Sequence, residues 1–131
     1  MANNVYPKAL IHLMNGDINL TSDDIRCMIV DTADETYDAA DEYVSDITAA
    51  GIVARSTALA SKTVGVVGVG VFDAADKVIT GVTGDGTEAV IIYKYNAADS
   101  SAILLAWLDG TVTPDGGNIN VAFNASGIFQ I

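Results

Sequence analysis

Apolar positions near the start of the chain fall at helical spacing. Ala9, Leu10, Leu13 and Met14 recur at three- and four-residue steps, Pro7 suits a first helical turn and Gly16 suits a stop, which predicts a short helix over Pro7–Asn15. Ile18–Leu20 predicts a brief strand, Thr21–Asp24 a turn, and Ile25–Val30 a strand ending at Asp31. Between Asp31 and Asp46, Tyr37, Ala40, Tyr43 and Val44 keep three- to four-residue steps among acidic residues, so a short amphipathic acidic helix is expected around Ala39–Ser45. From Gly51 onward the pattern becomes strand-like. Ile52–Leu59, the valine-rich Thr63–Phe72, Lys77–Val82, Glu88–Tyr95, Ala102–Leu108, Asn118–Phe123 and Gly127–Ile131 read as strands. Thr83-Gly84-Asp85-Gly86, Asn96–Ser101 and Pro114-Asp115-Gly116-Gly117 read as the turns between them. About eight short strands without β-α-β alternation predict a mainly β fold, an antiparallel β-sandwich or barrel, with a short N-terminal helix and a short acidic helix.

The 131 residues are expected to form one domain, 1–131. Half of them are hydrophobic, enough to bury a core rather than remain a disordered acidic tail. Six Lys and Arg against 17 Asp and Glu give a formal net charge of −11 at pH 7. Nucleic-acid binding by counterion release needs clustered cations, so neither nucleic acid nor an anionic membrane is expected as a partner. Residues Met1–Asn15 show no basic region followed by an apolar core, and no stretch approaches the length of a membrane span, so neither secretion nor insertion is expected. The lone Cys27 excludes an internal disulfide and sits in a strand-like run, where it reads as a core residue.

No catalytic constellation emerges. His12, the one histidine, stands among Leu10, Ile11, Leu13 and Met14 and reads as a helix-surface or half-buried residue. Gly65, Gly68 and Gly70 run Gly-x-x-Gly-x-Gly, the reverse of a dinucleotide-binding loop, and no helix of useful length follows. They read instead as a bend, a bulge or a close approach within a strand. The acidic segment lacks the central Gly and spacing of an EF-hand loop and reads as a solvated face. Asp31, Asp34, Asp38 and Asp41 are the residues to test for weak cation binding. Trp107, mid-strand, reads as core or interface. No cofactor and no enzyme activity are expected.

Several short motifs occur in a set order: Asn4-Val5-Tyr6-Pro7-Lys8 before a helix, Leu20-Thr21-Ser22 before a strand ending Val30-Asp31-Thr32, and Tyr37-Asp38-Ala39-Ala40-Asp41-Glu42-Tyr43. Ala60-Ser61-Lys62-Thr63-Val64 and Gly70-Val71-Phe72-Asp73-Ala74-Ala75-Asp76 follow, then Glu88-Ala89-Val90-Ile91-Ile92-Tyr93 and Ala106-Trp107-Leu108-Asp109. Val112-Thr113-Pro114-Asp115-Gly116-Gly117 and Gly127-Ile128-Phe129 close the series, which spans nearly the whole chain. In this order the motifs resemble the capsid cement, or head decoration, proteins of tailed bacteriophages, with Gly65–Val69 longer than the stretch expected there.

The resemblance implies a jelly-roll-like sandwich, made in the host cytoplasm, that binds the outer surface of an icosahedral head and stabilises contacts between capsomers. Its implied partners are the major capsid protein and further copies of itself, as a dimer or trimer. On this reading Asn3, Asn4, Val5 and Tyr6 form an arm onto the capsid. Val64, Val66, Val69 and Val71 lie on an edge strand that pairs with another chain. Tyr6, Tyr93 and Trp107 are candidate anchors. The alternatives are a tail-associated or receptor-binding virion component, a small carbohydrate- or cation-binding module, and an enzyme that would depend on His12 and the acidic cluster, for which no substrate suggests itself.

Overall fold

The computed structural model describes residues 3–84 and 86–131, with Asn3, Gly110 and Thr111 described by backbone alone. Met1 and Ala2 at the start of the N-terminal reading, and Asp85 of the expected 83–86 turn, lie outside the described residues. The protein is mainly β, with antiparallel sheets and one short N-terminal helix.

The strongest strands come from the longest apolar runs. Strands β2 (Ile25–Val30), β7 (Glu88–Lys94) and β8 (Ile103–Val112) pair antiparallel, with β7 in the middle. Every residue of β7 from Glu88 to Tyr93 is buried, and so is every residue of β8 from Ile103 to Leu108. Consecutive residues of a strand face opposite ways, so a run buried at every position has both faces covered. Short strands complete this sheet at its two edges. β1 (Asn3–Val5) pairs with β8, and β3 (Ile52–Arg55) pairs with β2, for an order of β1-β8-β7-β2-β3. The edge at β3 ends in charge: Arg55 donates to both oxygens of Asp99, at 2.9 and 2.7 Å. A charged edge discourages pairing with a foreign strand.

Two smaller sheets accompany the large one. β4 (Thr63–Val64), β5 (Val71–Asp73) and β10 (Phe129–Gln130) form one, ordered β10-β5-β4. β6 (Lys77–Ile79) pairs with β9 (Ile119–Val121) in the other. The buried side chains of all three sheets join helix α1 (Pro7–Met14) in a common hydrophobic cluster that includes Ala9, Ile25, Phe72, Ile79, Ile91, Leu105 and Phe129.

Two expected elements are absent and a third is interrupted. The acidic helix around Ala39–Ser45 is not formed; the segment crosses as turns and one 3-10 turn, Val44–Asp46. Its own side chains take the backbone donors that a helix would use. Asp31 accepts from the Ala33 amide and Asp38 from the Ala40 amide, both at 2.8 Å. Asp46 accepts from the amides of Glu42 and Tyr43. Short acidic side chains compete with helix formation in this way. Likewise Ile18–Leu20 is not a strand, because the Asn19 side chain accepts from the Thr21 and Ser22 amides and the Asp23 carboxylate accepts from the Asn19 amide. The continuous strand over Thr63–Phe72 is broken into β4, a bend and β5. Gly65 (φ 75°) and Gly70 (φ 71°) occupy left-handed backbone that no strand adopts, and the chain doubles back so that the Gly65 amide donates to the Val71 carbonyl at 2.9 Å. The strand expected over Ile52–Leu59 stops at Arg55.

Two glycines separate backbone strain from steric exclusion. Gly16 (φ 79°) has open space around it, whereas a Cβ on Gly127 (φ 109°) would overlap Val71 Cγ1. Gly16→Ala is expected to cost about 1 kcal/mol from backbone strain alone. Gly127→Ala is expected to cost about 3 kcal/mol, since Val71 must also move within a packed sheet. Urea unfolding of the two variants checks the difference.

Candidate functional site

The segment from Val64 to Gly70 is held by its ends and bare in the middle. Gly65 and Gly70 allow the two reversals, and the Val71 amide donates to the Gly68 carbonyl at 3.2 Å. The C-terminal strand fastens the far side: the Ile131 amide donates to the Gly70 carbonyl at 2.9 Å, and the Gln130 side chain donates to the Val69 carbonyl at 3.0 Å. An added Cβ at Gly70 would overlap the Ile131 carbonyl oxygen, so this close lacing requires glycine. On the fixed frame, Val66 is 77% exposed and Val69 90% exposed, with Val64, Val67 and Ile131 also in contact with water. No charged residue occurs between Lys62 and Asp73. This run of exposed, uncharged valines stands out on a chain of net charge −11, beside the exposed Ile11 and Met14 of α1 and Val78 of β6.

The residues singled out from the sequence separate into outward and inward groups. Val64, Val66 and Val69 face outward, whereas Val71 is buried against the Gly127 backbone. In the N-terminal segment Asn3 pairs with Leu108, Asn4 with Trp107 and Val5 with Ala106, so these residues form an edge strand of the large sheet rather than a loose arm. Asn4 is exposed and Val5 half-buried. Tyr6 is fully buried; its amide donates to the Leu105 carbonyl at 2.9 Å and its ring lies 5.1 Å from that of Tyr37. Tyr93 and Trp107 are also core residues.

The acidic residues act mainly on their own backbone. Besides the turn contacts of Asp31, Asp38 and Asp46, Glu35 accepts from the Thr48 amide at 2.7 Å. Among the described residues no group of three or more His, Cys, Asp or Glu side chains converges as a metal-ligand set. Cys27 is buried in β2, where desolvation pushes its thiol above the usual range, and its amide donates to the buried Ser56 hydroxyl at 2.9 Å. The ring nitrogens of His12 face Asp17 and Glu42, and the Tyr43 ring stands 6.0 Å away. That grouping joins residues far apart in sequence, and its signal was confined to the helical placement of His12.

Electrostatic stress concentrates beneath the acidic segment. Burial holds the Tyr6 hydroxyl well above the ordinary phenol range, and the Asp41, Glu35 and Asp38 carboxylates add to this. Among the described residues that hydroxyl has no hydrogen-bond partner. Asp41 is pushed up to about 6, first by desolvation and then by Asp38, Asp46 and Glu35, with Lys8 opposing. Asp46 moves the other way, because the Tyr43 and Glu42 amides stabilise its charge.

The sequence matches no protein-family model and no curated protein.

A carboxyl whose pKa is raised on folding binds its proton more tightly in the native state. For Asp41 this contribution is complete below about pH 3.8 and is lost as pH rises through about 6. Asp41→Asn removes the charge and its penalty. The variant is expected to be more stable than the parent at pH 7.5, by no more than about 1 kcal/mol after solvent screening, and indistinguishable near pH 4. Thermal unfolding at the two pH values checks this.

Proposed function

We propose that this protein is a capsid cement protein, binding the outer surface of an icosahedral phage head and stabilising contacts between capsomers. The observation that carries this reading is the anchored, uncharged valine loop, a surface suited to protein contact in an otherwise acidic chain. The resemblance of the ordered motifs from Asn4-Val5-Tyr6-Pro7-Lys8 to Gly127-Ile128-Phe129 supports the choice of family. In this reading the sheets pack as a jelly-roll-like sandwich in one domain, and the protein works by binding rather than by catalysis, with no cofactor.

The mechanism is mechanical. Each copy adds interface free energy to a shell that must resist internal pressure, and modest contacts suffice because many copies act on one lattice. Val64, Val66 and Val69 would meet the major capsid protein or a neighbouring copy, and exposed Asn4 on β1 would supply a polar rim. The −11 charge keeps copies apart in the host cytoplasm before assembly and leaves carboxylates to meet basic groups on the shell. Neither nucleic acid nor membrane takes part.

Quantitative mass spectrometry of purified virions tests the reading. A ratio to the major capsid protein near one, or a simple fraction such as one third, supports a shell-wide cement. A few copies per particle would instead place the protein in the tail or at receptor-binding structures, and absence from virions would overturn both.

The loop has its own test. Val66→Asp and Val69→Asp replace exposed side chains, so the unfolding midpoint is expected to stay within about 0.5 kcal/mol of the parent. Binding to heads lacking the protein is expected to fall about tenfold or more, because a carboxylate cannot be desolvated at an apolar contact. Co-sedimentation with such heads checks it.

A further inference from the structure

His12 projects from α1 between two carboxylates on different parts of the chain. Nδ1 lies 2.8 Å from Asp17 Oδ2, in the turn after the helix, and Nε2 lies 2.9 Å from Glu42 Oε1, on the acidic strap over residues 31–47. A neutral imidazole has one N–H and one lone pair, so it can donate to only one of these oxygens. The other nitrogen would then set its lone pair against a carboxylate oxygen at hydrogen-bond distance. Only the imidazolium satisfies both contacts.

We infer that His12 is a proton-operated clamp: its imidazolium fastens the acidic strap to helix α1, and loss of the ring proton to solvent releases the strap at Glu42. The remaining groups around the ring are arranged consistently with this. On the helix, Lys8 Nζ lies 3.8 Å from Glu42 Oε2. On the strap, the Tyr43 ring stands 6.0 Å from the imidazole, and Asp46 holds the Glu42 and Tyr43 amides. From β7, Lys94 donates to the Asp17 carbonyl at 2.7 Å and pairs with Asp23 at 3.3 Å. Lys8 thus stands beside the Glu42 carboxylate, to which the Tyr43 hydroxyl also hydrogen-bonds, and Lys94 beside the Asp17 carbonyl, but none of them bridges Glu42 to Asp17. The strap end is otherwise tied to β8 by backbone: the Leu104 amide donates to the Glu42 carbonyl at 3.0 Å, and Tyr43 bridges to Ile103. Release therefore loosens the strap from the helix without unpairing the sheet.

Both carboxylates raise the ring above its ordinary value of 6.5, with the Asp17 hydrogen bond the largest cause. A raised histidine contributes stability that is complete below pH 6.5 and is lost as pH rises through the folded value. Asp41 titrates nearby with the same sign, so the experiment uses an Asp41→Asn background, which removes that carboxyl, and reads the His12 ring directly. NMR of the full chain follows the His12 ring resonance and the amide protection factors of residues 42–46. The ring midpoint is expected above 6.5, and strap protection is expected to fall about three- to tenfold across it. Adding His12→Gln should abolish that pH dependence. Adding Glu42→Gln, which leaves the ring in place, should lower its midpoint. A midpoint at or below 6.5 overturns the clamp. So does a raised midpoint with unchanged strap protection, and so does a midpoint insensitive to Glu42→Gln; the last two remain readable if the His12 variant does not fold.

Discussion

The central ladder is buried at every position over Cys27–Val30 of β2, Glu88–Tyr93 of β7 and Ile103–Leu108 of β8, and the remaining elements are constrained by that fact. Ile91 pairs with Met28 on one side and Trp107 on the other, and Asn4 of β1 continues the row. Burying each large aliphatic side chain stabilises the fold by about 1.5–3 kcal/mol, but only if something covers the row. Tyr37 of the acidic strap contributes to the cover, its ring 6.5 Å from Trp107 and 5.1 Å from Tyr6. Helix α1 adds Ala9, and the two small sheets add Phe72, Phe129 and Ile79 to the same cluster.

Covering apolar strands with a segment that carries Asp31, Asp34, Glu35, Asp38, Asp41, Glu42 and Asp46 sets burial against charge. The strap settles the conflict residue by residue. Tyr37, Val44 and Ile47 turn inward, while Asp31, Glu35, Asp38 and Asp46 accept backbone amides near the surface. Charge-assisted bonds of this kind hold turns that have no ladder of their own. Asp41 is where the settlement is incomplete: it takes the desolvation without an amide to offset it and ionises late. The strap is thus held by its edges, through His12 and the start of β8, rather than by regular secondary structure.

The strands with the densest apolar runs were legible because two buried faces leave a residue pattern that no turn shares. Glu88–Tyr95 and Ala102–Leu108 contain the observed Glu88–Lys94 and most of Ile103–Val112. Helix α1 was legible from Pro7 and Gly16, whose backbone preferences act locally. The acidic helix failed because helical spacing of Tyr37, Ala40, Tyr43 and Val44 says nothing of where Asp38 and Asp46 will place their oxygens. The valine strand failed for a related reason. Valine favours extended backbone at every second position, yet two glycines with φ near 70° reverse the chain, and the C-terminus that laces them lies sixty residues away. The His12–Glu42 contact was equally out of reach, because Glu42 is brought there only by the register of the strap on β8.

The valine loop and the charge distribution are two sides of one arrangement. An exposed apolar loop invites indiscriminate association, and soluble proteins restrict such surfaces for that reason. Here Gly70 and the Ile131 backbone hold the loop close on its β5–β10 side, while β4 is the outer strand of that sheet. The net charge of −11 adds a long-range repulsion between copies that acts over about 8 Å at physiological salt. Two copies in dilute solution meet that repulsion before their valines touch. A surface that fixes the copies side by side or offers compensating cations removes the barrier, after which the short-range apolar contact acts. Short-range apolar attraction and long-range charge repulsion therefore oppose one another in the same small chain, and the balance between them depends on what charge the opposing surface carries.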